Sequence, residues 1–217
     1  MAITNGYATQ REFLDEVALL TGYNPHVIDD AVIDGFITDA SRLVDAACAG
    51  RWFYSASETR KYDVPVPAPG ATRQLLLDAD LLTITTLTNG DATVIASADY
   101  ILLPANAPSK YAIRIKPSAT IAWEPDTNGN LEQVISVVGT WGYVNRSLTD
   151  PKSVEIVRNT HRACLSIAKS LYQKRFGQGV EGVAQMTPAG VVITPQGIPR
   201  DAWEAIKGYA KQGGALA

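Results

Sequence analysis

The sequence predicts an α+β fold: a helical core, an inserted antiparallel β unit, and a C-terminal arm ending in a short helix. Three observations predict it. Apolar residues recur at three- and four-residue spacing over residues 9–50. Between residues 51 and 149 that period gives way to short strand-like runs separated by prolines, and at residue 150 the helical period returns. The expected organisation is a helical core from residues 1–50 and 150–177, a β domain at 51–149, and a flexible arm with its helix at 178–217.

The first helix starts at Thr9, which forms a capping box with Glu12, and Phe13, Leu14, Val17 and Leu20 give its apolar stripe before Thr21-Gly22 stops it. The second starts at Asn24-Pro25, with Asn as cap and Pro in the first turn. Its stripe is Ile28, Val32, Phe36, Ala40, Leu43 and Ala47; Asp29, Asp30, Asp34 and Asp39 fall off it, and Gly50 is the stop. Gly35 costs about 1 kcal/mol relative to Ala inside a helix, which leads us to expect close packing there.

Strands are expected at Lys61–Val64, Gln74–Leu77, Leu81–Leu87, Tyr100–Leu103, Tyr111–Ile115, Ala119–Trp123 and Gln133–Val138. Thr88-Asn89-Gly90-Asp91 reads as a hairpin, its Asn-Gly pair suiting a type I′ turn. Asp150-Pro151 opens a long helix with the stripe Val154, Val157, Cys164, Ile167, Ala168, Leu171 and Tyr172. Lys152, Arg158, Arg162, Lys169, Lys174 and Arg175 occupy its other faces. Residues 177–199 are rich in Gly and Pro and suit an extended arm or small hairpin around Val191-Val192-Ile193. A last helix, about Pro199 to Gln212, carries Trp203, Ile206 and Tyr209 as one stripe, with Lys207 beside them.

Hydrophobic residues at 46% and charged residues at 19% argue against a largely disordered chain. A net charge of −3 counts against a strongly basic nucleic-acid binder, and two cysteines cannot make a disulfide scaffold. The sequence holds no apolar run long enough for a membrane span and no signal-peptide pattern, so a soluble, intracellular chain is expected. The charge is uneven: residues 1–50 carry 2 basic and 8 acidic side chains, residues 151–217 carry 9 and 4. An acidic head and a basic tail attract one another, within a molecule or between neighbours.

Catalytic and cofactor patterns fail one by one. Gly177-Gln178-Gly179-Val180-Glu181-Gly182 matches a dinucleotide fingerprint but follows a helix, where the pyrophosphate has no helix N-terminus to meet. Ser166-Ile167-Ala168-Lys169 lacks the companion elements of the penicillin-recognising enzymes. Asp126-Thr127-Asn128-Gly129-Asn130 misplaces the Gly and Glu of an EF-hand loop and reads as a tight turn. Only His26 and His161 are available, and His161 precedes Cys164 by three residues on a helix face that also suits packing. The two Cys and two His lack zinc spacing. The sequence therefore supplies no catalytic residue, cofactor or metal site.

An ordered set of pieces remains. Tyr7 to Leu20 is followed by a long helix ending Ala49-Gly50-Arg51-Trp52-Phe53, then by Leu87-Thr88-Asn89-Gly90-Asp91 and Tyr100-Ile101-Leu102-Leu103-Pro104. Gly139-Thr140-Trp141-Gly142-Tyr143 then leads into Asp150-Pro151 and the helix ending Tyr172-Gln173-Lys174-Arg175-Phe176. Over about residues 7–177 this resembles the head–tail adaptor (connector, or neck) proteins of tailed bacteriophages. The resemblance implies a ring, usually twelvefold, between the portal protein and a tail or stopper protein, with DNA passing through the lumen without sequence-specific binding. It implies a virion protein assembled in the host cytoplasm, with no enzyme activity, cofactor or membrane partner. A C-terminal segment reaching the portal makes Trp203, Ile206, Lys207 and Tyr209 the candidate docking residues. Arg158, Arg162 and Lys169 are the candidate basic face between subunits, and Asp29, Asp30 and Asp34 its acidic partner or a lumen face. The alternatives are another neck or tail-completion protein (a stopper or terminator) and, behind it, a host nucleic-acid-associated protein.

Overall fold

The computed structural model describes residues 6–21, 30–65, 73–147, 149–176, 185–186, 192–193 and 198–211. The fold is α+β, and the chain divides into two compact units: Met1–Gly50 with Asp150–Ala217, and Arg51–Thr149.

The first unit holds α1 (Gln10–Thr21), α2 (Asp30–Ala47), α3 (Pro151–Phe176), a two-stranded ribbon of β6 (Gln185–Met186) and β7 (Val192–Ile193), and α4 (Arg200–Ile206). The α1 capping box forms as expected: the Thr9 N–H donates to Glu12 Oε2 at 2.8 Å and the Glu12 N–H to Thr9 Oγ1 at 3.3 Å. Asp150 caps α3, accepting the Ser153 N–H at 3.0 Å ahead of Pro151 in the first turn. The expected α2 start at Asn24-Pro25, with Ile28, lies outside the described residues.

Two helical stripes are rotated from their expected positions. The buried face of α2 is Ile33, Phe36, Ile37, Ala40, Ser41, Val44 and Asp45, so Val32, Leu43 and Ala47 lie at its margin. The face of α3 runs from Ser153 and Ile156 through Thr160, Ala163, Cys164, Ile167, Ala168 and Tyr172, which leaves Val154 exposed. Packing against α1 and α2 selects the face, and small polar residues such as Ser153 and Thr160 satisfy themselves there. The Thr160 hydroxyl donates to the Ile156 carbonyl at 2.8 Å. A Cβ on Gly35 would meet nothing within 4 Å, so close packing is not what places glycine there.

The second unit is a five-stranded antiparallel sheet: β1 (Ala56–Tyr62), β2 (Gln74–Thr88), β3 (Tyr100–Leu103), β4 (Lys110–Ile115) and β5 (Ile135–Trp141), in the order β1-β5-β2-β4-β3. The runs expected as separate strands at Gln74–Leu77 and Leu81–Leu87 are one long strand. Its first half pairs with β4 and its second with β5, with register shifts where it changes partner. Leu75, Leu81, Leu87, Ile113, Ile115, Ile135, Val137 and Trp141 form the core.

Gly142 explains the Gly-x-Trp-Gly-Tyr piece. Its φ is 142°, and a Cβ would sit 2.8 Å from both the Tyr54 carbonyl oxygen and Ser55 Cα. The chain thus turns out of β5 tightly enough for the Tyr143 and Val144 N–H groups to reach the Trp52 and Phe53 carbonyls at 2.8 and 2.9 Å.

The hairpin at Asn89 has a different geometry from the type I′ turn expected. The Ala92 N–H closes onto the Asn89 carbonyl at 3.0 Å and the positive φ, 67°, belongs to Ala92, giving a three-residue loop. Gly90 is there for space, because a Cβ would collide with the Glu124 carbonyl oxygen and sit 2.7 Å from the Pro125 carbonyl carbon. The Asn89 amide holds the same segment, donating to the Ala122 carbonyl at 2.8 Å and accepting the Glu124 N–H at 3.0 Å. This is why Ala119–Trp123 is no strand. Its polar groups are met by Asn89 and by Arg73, whose carbonyl accepts the Trp123 indole N–H at 3.1 Å. Gly90→Ala should destabilise the protein by about 1–3 kcal/mol, as overpacking against backbone does. Denaturant unfolding checks it, and a loss within error would show that the Glu124–Pro125 backbone moves aside freely.

Candidate functional site

The residues singled out above belong to the helical unit. On α2, Asp30 is exposed and Asp34 half-buried, one turn apart on the same face; Asp29 lies outside the described residues. On α3, Arg158 and Arg162 are exposed and Lys169 half-buried, spaced by four and seven residues along one stripe. The acidic and basic rows thus occupy separate helices.

α4 corrects the expectation of one apolar stripe on a separately tethered helix. Ala202 and Ile206 are fully buried, whereas Trp203 is 43% exposed. The α-helix ends at Ile206 and passes into a 3₁₀ turn over Lys207–Tyr209. The Tyr209 hydroxyl accepts the Asn159 side-chain N–H at 2.9 Å, and the Ser166 hydroxyl donates to Asp201 at 2.8 Å. The Cys48 thiol donates to the Ile206 carbonyl at 3.5 Å, and the Lys211 N–H to the Cys48 carbonyl at 3.2 Å. α4 is therefore packed onto α3 and the end of α2. Ile206 is spent on that packing and cannot serve as an outward anchor; Lys207 is exposed and ion-paired with Glu204, and Trp203 points outward. Of the arm expected at 177–199, all but residues 185–186, 192–193 and 198–199 lies outside the described residues.

The residues weighed for chemistry have structural partners. His161 Nε2 lies 3.2 Å from Glu12 Oε2. Burial raises the Glu12 carboxyl, but the Thr9 hydroxyl and N–H and the neighbouring His161 outweigh it and hold it below its usual value. Cys164 is fully buried, 3.4 Å from the Ser41 hydroxyl, and burial pushes its thiol up to about 11, the reverse of nucleophile activation. Asp126 closes its own turn, accepting the Asn128 and Asn130 N–H groups at 2.8 Å each and the Asn130 side-chain amide at 2.8 Å. Among the described residues no three His, Cys, Asp or Glu side chains gather into a metal-binding group. No described helix is long and apolar enough to cross a membrane.

Two polar clusters escaped the sequence reading because their members are far apart in the chain. In the helical unit, the buried Asp45 carboxylate accepts from the Tyr7 hydroxyl and pairs with Arg42 at 3.2 Å. In the sheet unit, Arg51 Nε meets Asp80 Oδ2 at 2.9 Å while its guanidinium covers the Tyr143 ring at 4.0 Å.

No family model matches the chain, and no curated protein matches it. Solved structures do. A chain in the virion of a native gene transfer agent particle is 17% identical, covers 95% of this chain and 92% of its own, and superposes with a TM-score of 0.53. A chain in the neck of an empty gene transfer agent particle is also 17% identical over 88% of both chains, with a TM-score of 0.44. The fold is therefore shared with a chain in the virion of a gene transfer agent particle.

Proposed function

We propose that this chain is a ring-forming structural adaptor in the neck of a tailed phage or phage-like particle, joining the portal to the tail. The observation that carries the reading is the likeness to the virion chain over 95% of this chain, which spans both units. The separate acidic and basic rows support it, because a head-to-tail contact that closes into a ring needs two different, complementary surfaces on each subunit. Arg158, Arg162 and Lys169 form the basic surface, and Asp30 and Asp34, with Asp29 beside them in sequence, form its partner or line the lumen. The ring is twelvefold and passes DNA through its centre. Trp203 and Lys207 are the outward residues of α4 offered to a partner in the particle.

Rows of exposed charge give weak, salt-sensitive contacts, so the isolated chain should associate only weakly and form rings when portal is added. Negative-stain images and sedimentation of chain plus portal test this. Raising salt from about 0.1 to 1 M, which shortens the screening length from about 10 to 3 Å, should dissolve the rings. A monomer that stays monomeric beside portal at low salt overturns the reading. Binding to a tail tube alone would assign a tail terminator instead.

A further inference from the structure

At one end of the helical unit, α2 and the last turn of α3 frame an open cleft of about 340 Å³. Its floor is the ring of Phe36, its wall Leu171, and its rim Asp39, Lys174 and Arg175. Phe36, itself buried, lies edge-to-face with Tyr172 and Phe176 at centroid distances of 6.1 and 6.0 Å, so the floor of the cleft is the edge of an aromatic cluster.

The same unit carries a side chain suited to that cleft. Trp203 is a large aromatic left 43% exposed on a helix whose other face is fully buried. Its flanks match the rim in sign: Glu204 answers Lys174 and Arg175, and Lys207 answers Asp39. Glu204 and Lys207 pair with each other on the free chain, but exposed pairs of this kind exchange partners at little cost. Trp203 cannot fill the cleft of its own molecule. Asp201 on Ser166, Tyr209 on Asn159 and buried Ile206 hold α4 along the middle of α3, and Ser166 to Lys174 is about 12 Å of helix. A knob and a hole on different surfaces of one chain make a heterologous contact, which runs head to tail and is the kind of contact from which rings are built where the rotation closes.

We infer that Trp203 of one subunit inserts into the Phe36–Leu171 cleft of the next copy of this chain, with Glu204 against Lys174 and Arg175. The inference rests on the ring reading and names the residues of its subunit contact.

The test uses the full-length chain at high concentration. Trp203→Ala should weaken self-association about 30-fold, the equivalent of losing one interface hot spot, with the melting temperature unchanged. Trp203→Cys mixed with Leu171→Cys should give a disulfide-linked pair under mild oxidation, and neither should cross-link alone; the native Cys48 and Cys164 are buried and do not compete. Where a cysteine variant folds poorly, Glu204→Lys and Lys174→Glu should each weaken association and together restore it. Self-association retained in Trp203→Ala, or absence of both the mixed disulfide and the charge-swap rescue, overturns the inference and leaves the ring reading standing. A wild-type chain that stays monomeric alone and with portal overturns both.

Discussion

Asp80→Ala should destabilise the sheet unit by about 3–5 kcal/mol, the cost of removing one partner from a buried ion pair. Arg51 and Asp80 side chains are 14% and 8% exposed, and the pair closes through Nε at 2.9 Å with the second guanidinium nitrogen 3.5 Å from the other carboxylate oxygen. Removing the carboxylate takes the charged partner from a guanidinium that is largely withdrawn from water and that also stacks on the Tyr143 ring. The clasp also has mechanical consequences. The segment leading into β1 is held to the segment leaving β5 by the Tyr143 and Val144 N–H bonds to Trp52 and Phe53, and the Gly142 N–H bonds the Asp80 carbonyl at 2.8 Å. Arg51→Lys should cost less, because an ammonium keeps the charge but loses the planar fork and the ring stacking. Equilibrium unfolding in denaturant measures both. A loss below about 1 kcal/mol for Asp80→Ala would mean that water reaches Arg51 and takes over the role of the carboxylate.

What the sequence disclosed and what it hid follow from range. The capping box of Thr9 and Glu12 and the cap at Asp150-Pro151 are written within one helical turn, so residue identity and spacing locate them. The Asn89-Gly90 dipeptide locates the turn. Its chemistry is not legible there, because what Gly90 avoids is a backbone 34 residues away, at Glu124. Most strands of the sheet could be read from composition, although β1 runs over Ala56–Tyr62 rather than Lys61–Val64 and Ala119–Trp123 is no strand; the joining of two runs into one strand with two partners depends on β4 and β5 being present. The same holds for the candidate surfaces. Rows such as Arg158, Arg162 and Lys169 are visible as helical spacing. The burial of Ile206 next to exposed Trp203 depends on α4 settling over Cys48 and Ser166, contacts that span 158 and 35 residues. Tyr7–Asp45 and Arg51–Asp80 bridge 38 and 29 residues and leave no local signature.

Tyr7 sets the second large effect. Its ring is 2% exposed, its N–H donates to the Ser41 hydroxyl at 3.1 Å, and its own hydroxyl donates to Asp45, fixing the segment before α1 onto α2. Tyr7→Ala should cost about 3–5 kcal/mol, as other buried aromatic truncations do. Tyr7→Phe isolates the hydroxyl and should cost about 1.5–3 kcal/mol above the raised Asp45 value, where the acceptor is charged. The pH dependence carries the sharper test. Burial pushes the Asp45 carboxyl above its ordinary value of 3.8, over the opposing pulls of the Tyr7 hydroxyl and Arg42. A carboxyl raised on folding favours the protonated native state. Its contribution to stability is present below 3.8 and is lost as the pH rises through the raised native value. Removing the Tyr7 hydroxyl takes away a downward pull, moves the native value higher and widens that window. Tyr7→Phe should therefore lose little stability against wild type at about pH 3, where Asp45 is protonated in both, and progressively more toward pH 7. Urea unfolding across that range gives the curve. A loss that is the same at both ends would show that the hydroxyl does not sense the Asp45 charge.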